Sequence, residues 1–190
     1  MDLAFVDLPP REAALVLPWP DPCAPDGLVV FETADAWRAA VAALSLSSAI
    51  PDVVRLKYAR AQKLYLLGWI DIDLIKAGEL VALTALELAV MDRYGRAFPK
   101  KQRSLAALLK HMVDGDGLTD TAIPMVVRCR GTAIGQLTGE TKPSLAERRN
   151  RAAHGNPFDG MPVGGLVELV RDLITYAYRD MIAEAAERAR

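Results

Sequence analysis

From Thr33 onward, apolar positions recur at helical spacing along most of the chain. Thr33 suits an N-cap, and Trp37, Val41 and Leu44 follow at i, i+4 and i+7. Pro51 suits a first helical turn and opens a predicted helix through Arg55-Leu56-Lys57-Tyr58 to about Leu67. The segment Ile70 to Tyr94 carries two apolar stripes, one of Leu74, Val81, Ala85 and Leu88, the other of Ile72, Ile75, Leu83, Leu86 and Val90. A helix apolar on two faces packs on two sides, so this segment is predicted to be the central core helix, ended by Gly95. Leu105, Leu108, Leu109 and Met112 repeat at i, i+3, i+4 and i+7, which predicts one amphipathic helix.

The pattern then breaks. Asp114-Gly115-Asp116-Gly117 has the look of a calcium loop, but Leu118 and Met125 stand where oxygen ligands are needed. Ile123 to Cys129 fits a strand or a broken helix equally, and Gly131, Gly135 and Gly139 punctuate the stretch after it. Ser144-Leu145-Ala146-Glu147 fits a capping box, which predicts a short helix to His154 with Gly155 just past its end. A Gly/Pro loop spans Gly155 to Gly165. A last helix is predicted from about Leu166 to Arg188, with Leu166, Leu169, Val170, Leu173 and Ala177 on one face.

Residues 1–33 are different. Pro9, Pro10, Pro18, Pro20, Pro22 and Pro25 forbid a helix and disfavour a central strand. Leu28-Val29-Val30-Phe31 fits a short strand, while Leu15, Val16, Leu17 and Trp19 call for burial. The expectation is an extended N-terminal arm, 1–33, laid across a helical domain, 34–190. The fold class is all-α, a bundle of five to seven helices.

Composition agrees with a folded chain: 190 residues, 52% hydrophobic and 25% charged. With 23 Lys plus Arg against 24 Asp plus Glu, the formal charge is -1, which excludes a strongly basic nucleic-acid coat but not a local basic patch. Aromatic residues, at 6%, are too sparse for a base-stacking platform. Cys23 and Cys129 can build neither a disulfide framework nor a zinc knuckle, and two free thiols point to a reducing compartment. The N-terminus lacks the basic start of a signal peptide, and the apolar run Leu80 to Met91 is too short to cross a bilayer. A soluble cytoplasmic protein is therefore expected, with no membrane partner and no cofactor.

Two histidines are the candidate proton carriers. His111, near a helix end, reads as a solvated or capping side chain. His154 closes the run Glu147-Arg148-Arg149-Asn150-Arg151-Ala152-Ala153-His154, where Asn150 shares its helix face at i, i+4 and can hold one ring nitrogen. The helix C-terminus favours the protonated ring, while Arg148, Arg149 and Arg151 oppose it and attract phosphate. A histidine beside arginines can move a proton at a phosphodiester and stabilise an oxyanion. On the residues alone, a surface helix with a capping histidine fits as well as such a site. Glu79 reads as part of a solvent stripe. Glu87, between Leu86 and Leu88, is placed to pair with an arginine of the motif helix, since an unpaired buried carboxylate is costly. The connector residues Arg93, Arg96, Lys100, Lys101 and Arg103 read as a solvated loop, or as a phosphate track if they lie near His154. Trp19, Trp37 and Trp69 are assigned to packing.

Arg149-Asn150-x-x-x-His154-Gly155 resembles the Arg-Asn-x-x-x-His signature of the HEPN superfamily. The stretches Lys76-Ala77-Gly78-Glu79-Leu80, Ala85-Leu86-Glu87-Leu88-Ala89 and Arg93-Tyr94-Gly95 resemble the second long helix of such proteins, and Ser104 to Leu109 extend the likeness. The resemblance covers roughly residues 52–185. It implies an all-α homodimer, often a metal-independent ribonuclease of toxin–antitoxin or abortive-infection systems, with a composite site from two subunits. By that resemblance His154 transfers the proton of the ribose 2′-hydroxyl or leaving oxygen, and Arg149 stabilises the phosphorane. Asn150 orients the pair, and the product ends in a 2′,3′-cyclic phosphate. Arg148, Arg151, Lys100, Lys101 and Arg103 are then RNA-phosphate contacts, and a cognate antitoxin protein is an implied partner. Some family toxins carry a modifiable Tyr two residues after the His, where this chain has Asn156. Other members are non-catalytic dimerisation or interaction modules that partner a neighbouring gene product, the alternative reading.

Overall fold

In the computed structural model, which describes residues 3, 7–23, 27–155 and 161–190, two antiparallel helices form the spine. These are α2, Asp52–Leu67, and α3, Asp73–Tyr94, with α1, Ala34–Ala42, against α2. Val54, Tyr58, Ala61 and Tyr65 of α2 fall at i, i+4, i+7 and i+11, and all are buried. The helices approach closely at Gly78, where a Cβ would stand 2.7 Å from the Tyr65 ring, and at Gly68, where it would stand 2.3 Å from Ile75. Of the predicted stripe Ile72, Ile75, Leu83, Leu86 and Val90, the last four are buried on α3, while Ile72, the residue before the helix, is half-buried. Of the other stripe only Ala85 is buried; Leu74, Val81 and Leu88 are half-buried.

Beyond α3, two single 3-10 turns, Gly95–Ala97 and Lys100–Gln102, lead into α4, Leu105–Asp114. The predicted face of α4 is the buried one: Leu105, Leu108, Leu109 and Met112. The stretch that sequence periodicity left open becomes a 3-10 turn, Asp120–Ala122, and two short helices, α5, Pro124–Cys129, and α6, Ile134–Thr138. So Pro124–Cys129 is helical and Ile123 is its extended N-cap: Pro124 sits at the first turn, and Arg130 closes α5 at φ 53°. Asp116 is taken by a protein partner, binding Arg179 through two bonds of 2.8 Å and accepting from the Tyr94 hydroxyl at 2.6 Å.

Helix α7, Leu145–Ala153, packs on α3, α4 and α6. The expected last helix is two: α8, Leu166–Ala177, and α9, Arg179–Arg188. The break falls at Tyr178, whose fully buried ring sends its hydroxyl to Asp92 of α3 at 2.7 Å, while Arg179 stacks 4.1 Å over Tyr176. The described residues thus hold nine α-helices, more than the five to seven expected, because the terminal helix breaks and residues 120–138 add two short ones.

The mostly helical class is as expected, but the N-terminal segment is not simply extended. Leu15–Pro18 (β1) pairs antiparallel with Leu28–Phe31 (β2), Leu15 opposite Phe31 and Pro18 opposite Leu28. Leu15 and Leu17 are buried and Val16, between them, faces out, the period-2 alternation of a strand. Pro18 is tolerated because it ends a strand of a two-stranded sheet. All three tryptophans pack and use their indole N–H: Trp37 donates to the Tyr65 and Leu66 carbonyls, Trp69 to the Pro9 carbonyl at 2.7 Å and Trp19 to Glu168 at 3.0 Å. Among the described residues no helix is long and apolar enough to cross a membrane.

Candidate functional site

The motif helix is built as its sequence dictates. The Ser144 hydroxyl accepts the Glu147 N–H at 3.2 Å and the Glu147 carboxylate accepts the Ser144 N–H at 2.9 Å, a complete capping box. Lys142 donates to the other Glu147 oxygen at 2.6 Å. This bond, together with that of the Ser144 amide, holds the exposed carboxyl down at about 2. Leu145 and Ala146 anchor the first turn in the core. The last turn is free of such anchors: Asn150, Arg151 and His154 are all exposed, and His154 is the C-cap.

Arg149 is fixed from outside its own helix. Its Nε and Nη2 both donate to Oε2 of Glu87 on α3, at 3.0 and 2.5 Å, with the pair about a quarter exposed. Its Nη1 donates to Oδ1 of Asn150 at 3.1 Å. The pairing expected for Glu87 is therefore present, and Arg149 is the arginine it selects. Asn150, by contrast, spends its oxygen on Arg149, and among the described residues no bond joins its amide to the His154 ring; the two share only the backbone bond from His154 N–H to the Asn150 carbonyl, 3.0 Å.

Asn150, Arg151, His154 and Gly155 line one open depression of about 380 Å³. Arg149 is not part of its wall. At 100° per residue, five positions separate Arg149 from His154 by about 140° around the helix axis. The chain thus presents the histidine outward and turns the arginine toward α3. Arg148 points elsewhere again, into a cavity behind the helix. Lys100 and Lys101 are exposed on the 3-10 turn that follows α3, whose C-terminal end lies about 10 Å along the axis from Glu87. Arg103 is half-buried and donates to the Phe98 carbonyl at 2.9 Å, and Arg93 donates to the Ala177 carbonyl at 2.8 Å.

Two sequence expectations are overturned. Glu79 is not on a solvent stripe: it is buried, accepts the Val163 N–H, and desolvation pushes its carboxyl up to about 7 against the pull of that bond, Lys76 and Arg148. Lys76, equally buried, donates to the Met161 carbonyl at 2.6 Å, so one turn of α3 clasps the chain where it returns from the motif loop. The signal was a charged i, i+3 pair beside Gly78, the glycine that lets α2 close on α3. His111 is not a solvated cap either; its ring is half-buried and meets Tyr94 and Phe98 edge-on at 5.4 and 5.2 Å. Asn156 and the loop around it, 156–160, lie outside the described residues. Among the described residues no group of three or more His, Cys, Asp or Glu side chains is gathered so as to hold a metal ion.

No protein-family model, curated protein or solved structure matches this chain.

Proposed function

We propose that the chain is a metal-independent endoribonuclease of HEPN type, a toxin or defence effector working as a homodimer. One observation carries the reading: the residues of the Arg-Asn-x-x-x-His motif stand on one capped helix, with Arg149 locked by Glu87 and Asn150 and His154 exposed at an open depression. His154 moves the proton of the 2′-hydroxyl or leaving oxygen, Arg149 stabilises the phosphorane and Asn150 aligns it. Arg151, Lys100, Lys101 and Arg103 are the proposed phosphate contacts; Arg148 lines the cavity behind the helix, away from the His154 depression, and is left out of that set. The turn of Arg149 away from His154 within one subunit favours a site completed across a two-fold axis, with one subunit's arginine serving the other's histidine.

A second reading has its own support. Glu87 takes two of the donors of Arg149 and offsets its charge, as it would in a non-catalytic interaction module that partners a neighbouring gene product. Purified protein incubated with RNA in the presence of a chelator separates the two: the ribonuclease leaves 2′,3′-cyclic phosphate ends and the module leaves the RNA intact.

A further inference from the structure

Arg148, the neighbour of Arg149 on α7, lines a partly open cavity of about 210 Å³ bordered by Pro20, α5 and the loop after it, Val163, Gly164 and the first turns of α8. Most of its wall is apolar, with Met125, Val126, Leu166 and Leu169 prominent. Its frame is held by hydrogen bonds on two sides. Asp172 accepts the Met125 N–H at 2.8 Å, and Asp120 accepts the Ala133 and Ile134 N–H groups at 2.7 and 3.2 Å. At the back, Gly165 admits the Met125 side chain so closely that a Cβ there would stand 2.4 Å from it.

Within this frame one guanidinium has no hydrogen-bonded carboxylate among the described residues, its charge being felt only at longer range by Glu79. Arg148 makes no ion pair among the described residues, and its Nε is shut off from solvent with no hydrogen-bond partner. Such a donor is left waiting for an acceptor. Of the other lining side chains, Gln136 is polar and uncharged, and the α8 N-terminus, whose Gly165 cap has no side chain, adds a partial positive charge to the wall.

We propose that this cavity binds a small organic carboxylate, its anionic end on Arg148 and an apolar body of benzene size among Met125, Val126, Leu166 and Leu169. A guanidinium presents a planar fork that matches a carboxylate. A cavity of roughly 150 Å³ accommodates benzene, so this one has room for the ring and the acid group beyond it. One arginine in an apolar wall suits a monoanion with a hydrocarbon body and disfavours free phosphate, which needs several donors. The site does not depend on the ribonuclease reading.

Cys129 lines the same cavity and reports its occupancy, with the exposed Cys23 as an internal reference. The full chain is alkylated with iodoacetamide and the two thiols followed by mass spectrometry, with phenylacetate, phenylacetamide or inorganic phosphate added. Isothermal titration with the same three probes gives their ranking independently of thiol reactivity. Phenylacetate is expected to bind and to shield Cys129 but not Cys23, roughly tenfold better than phenylacetamide, with no effect of phosphate. Arg148→Met is expected to erase the preference of acid over amide. Gly131→Phe, at the cavity's rim, where nothing lies within 4 Å of a Cβ, is expected to abolish binding of both without disturbing the fold. Equal affinity for acid and amide, binding of phosphate alone, or no binding of phenylacetate to the folded protein overturns the proposal.

Discussion

Glu87 is the residue on which the geometry of the proposed site turns. It ties the motif helix to the core helix through Arg149, and Arg149 in turn engages Asn150. Glu87→Gln retains an acceptor for one guanidinium donor and removes the charge. It is expected to lower the cleavage rate at saturating RNA by about tenfold while leaving KM nearly unchanged, since a loosened arginine loses aim rather than phosphate affinity. The melting temperature should fall only slightly, because a partly exposed ion pair contributes roughly 1 kcal/mol or less. His154→Ala should leave stability within about 0.5 kcal/mol of wild type, the side chain being an exposed cap with no packing to lose. Thermal melts beside RNA-cleavage kinetics check both. That Glu87 would meet an arginine was legible from its apolar flanks, because a carboxylate between two leucines must find a partner. That Asn150 would serve Arg149 rather than His154 was not legible, because i, i+4 spacing permits a contact without deciding between competing donors.

At the scale of elements, apolar periodicity placed α2, α3, α4 and the start of α8, and a capping box placed α7, close to where they stand. The buried stripe Ile75, Leu83, Leu86 and Val90 was readable in advance. Leu86→Ala is expected to cost about 2–5 kcal/mol, measured by denaturant unfolding, since the side chain is fully buried between packed helices. What periodicity missed was set by tertiary contacts. The break at Tyr178 follows from a hydroxyl reaching Asp92 on another helix, and the β1–β2 hairpin from a strand pairing that sets Leu15 and Leu17 into the core. Glu79 escaped for the same reason: helical spacing says which residues share a face, not that residues 161–163 return to cover that face. Its burial has a consequence for pH. The folded state holds the Glu79 proton up to about 7 whereas an unfolded chain releases it near 4.5. The folded state therefore binds more protons across that interval, and its stability falls as pH rises through it. Glu79→Gln, which stays neutral and keeps an oxygen for the Val163 N–H, is expected to flatten that slope. The gain over wild type should appear as pH passes from 5 to 8 and be on the order of 3 kcal/mol at most. A difference between the two proteins that is constant with pH contradicts the assignment.

At the scale of the molecule, the hydrophobic fraction and the helical pattern made the mostly helical class legible, whereas the function rests on a short motif and the geometry around it. On the proposed ribonuclease reading, Arg149 and His154, turned about 140° apart on one helix, need a second copy of the chain to bring an arginine and a histidine to the same phosphate. The protein is therefore expected to sediment as a dimer at micromolar concentration, with a cross-link between two copies of the segment 148–155. A monomer, or a dimer with those segments on opposite sides, contradicts the composite site. The most direct measurement is cleavage of RNA by the purified protein in the presence of a chelator, run beside His154→Ala with both proteins shown to be folded. The expected result is cleavage by the wild type, 2′,3′-cyclic phosphate ends on its products, and a loss of roughly 10²–10⁴-fold in the variant. Intact RNA with wild type, cleavage that requires added magnesium, or an undiminished rate in His154→Ala would contradict it.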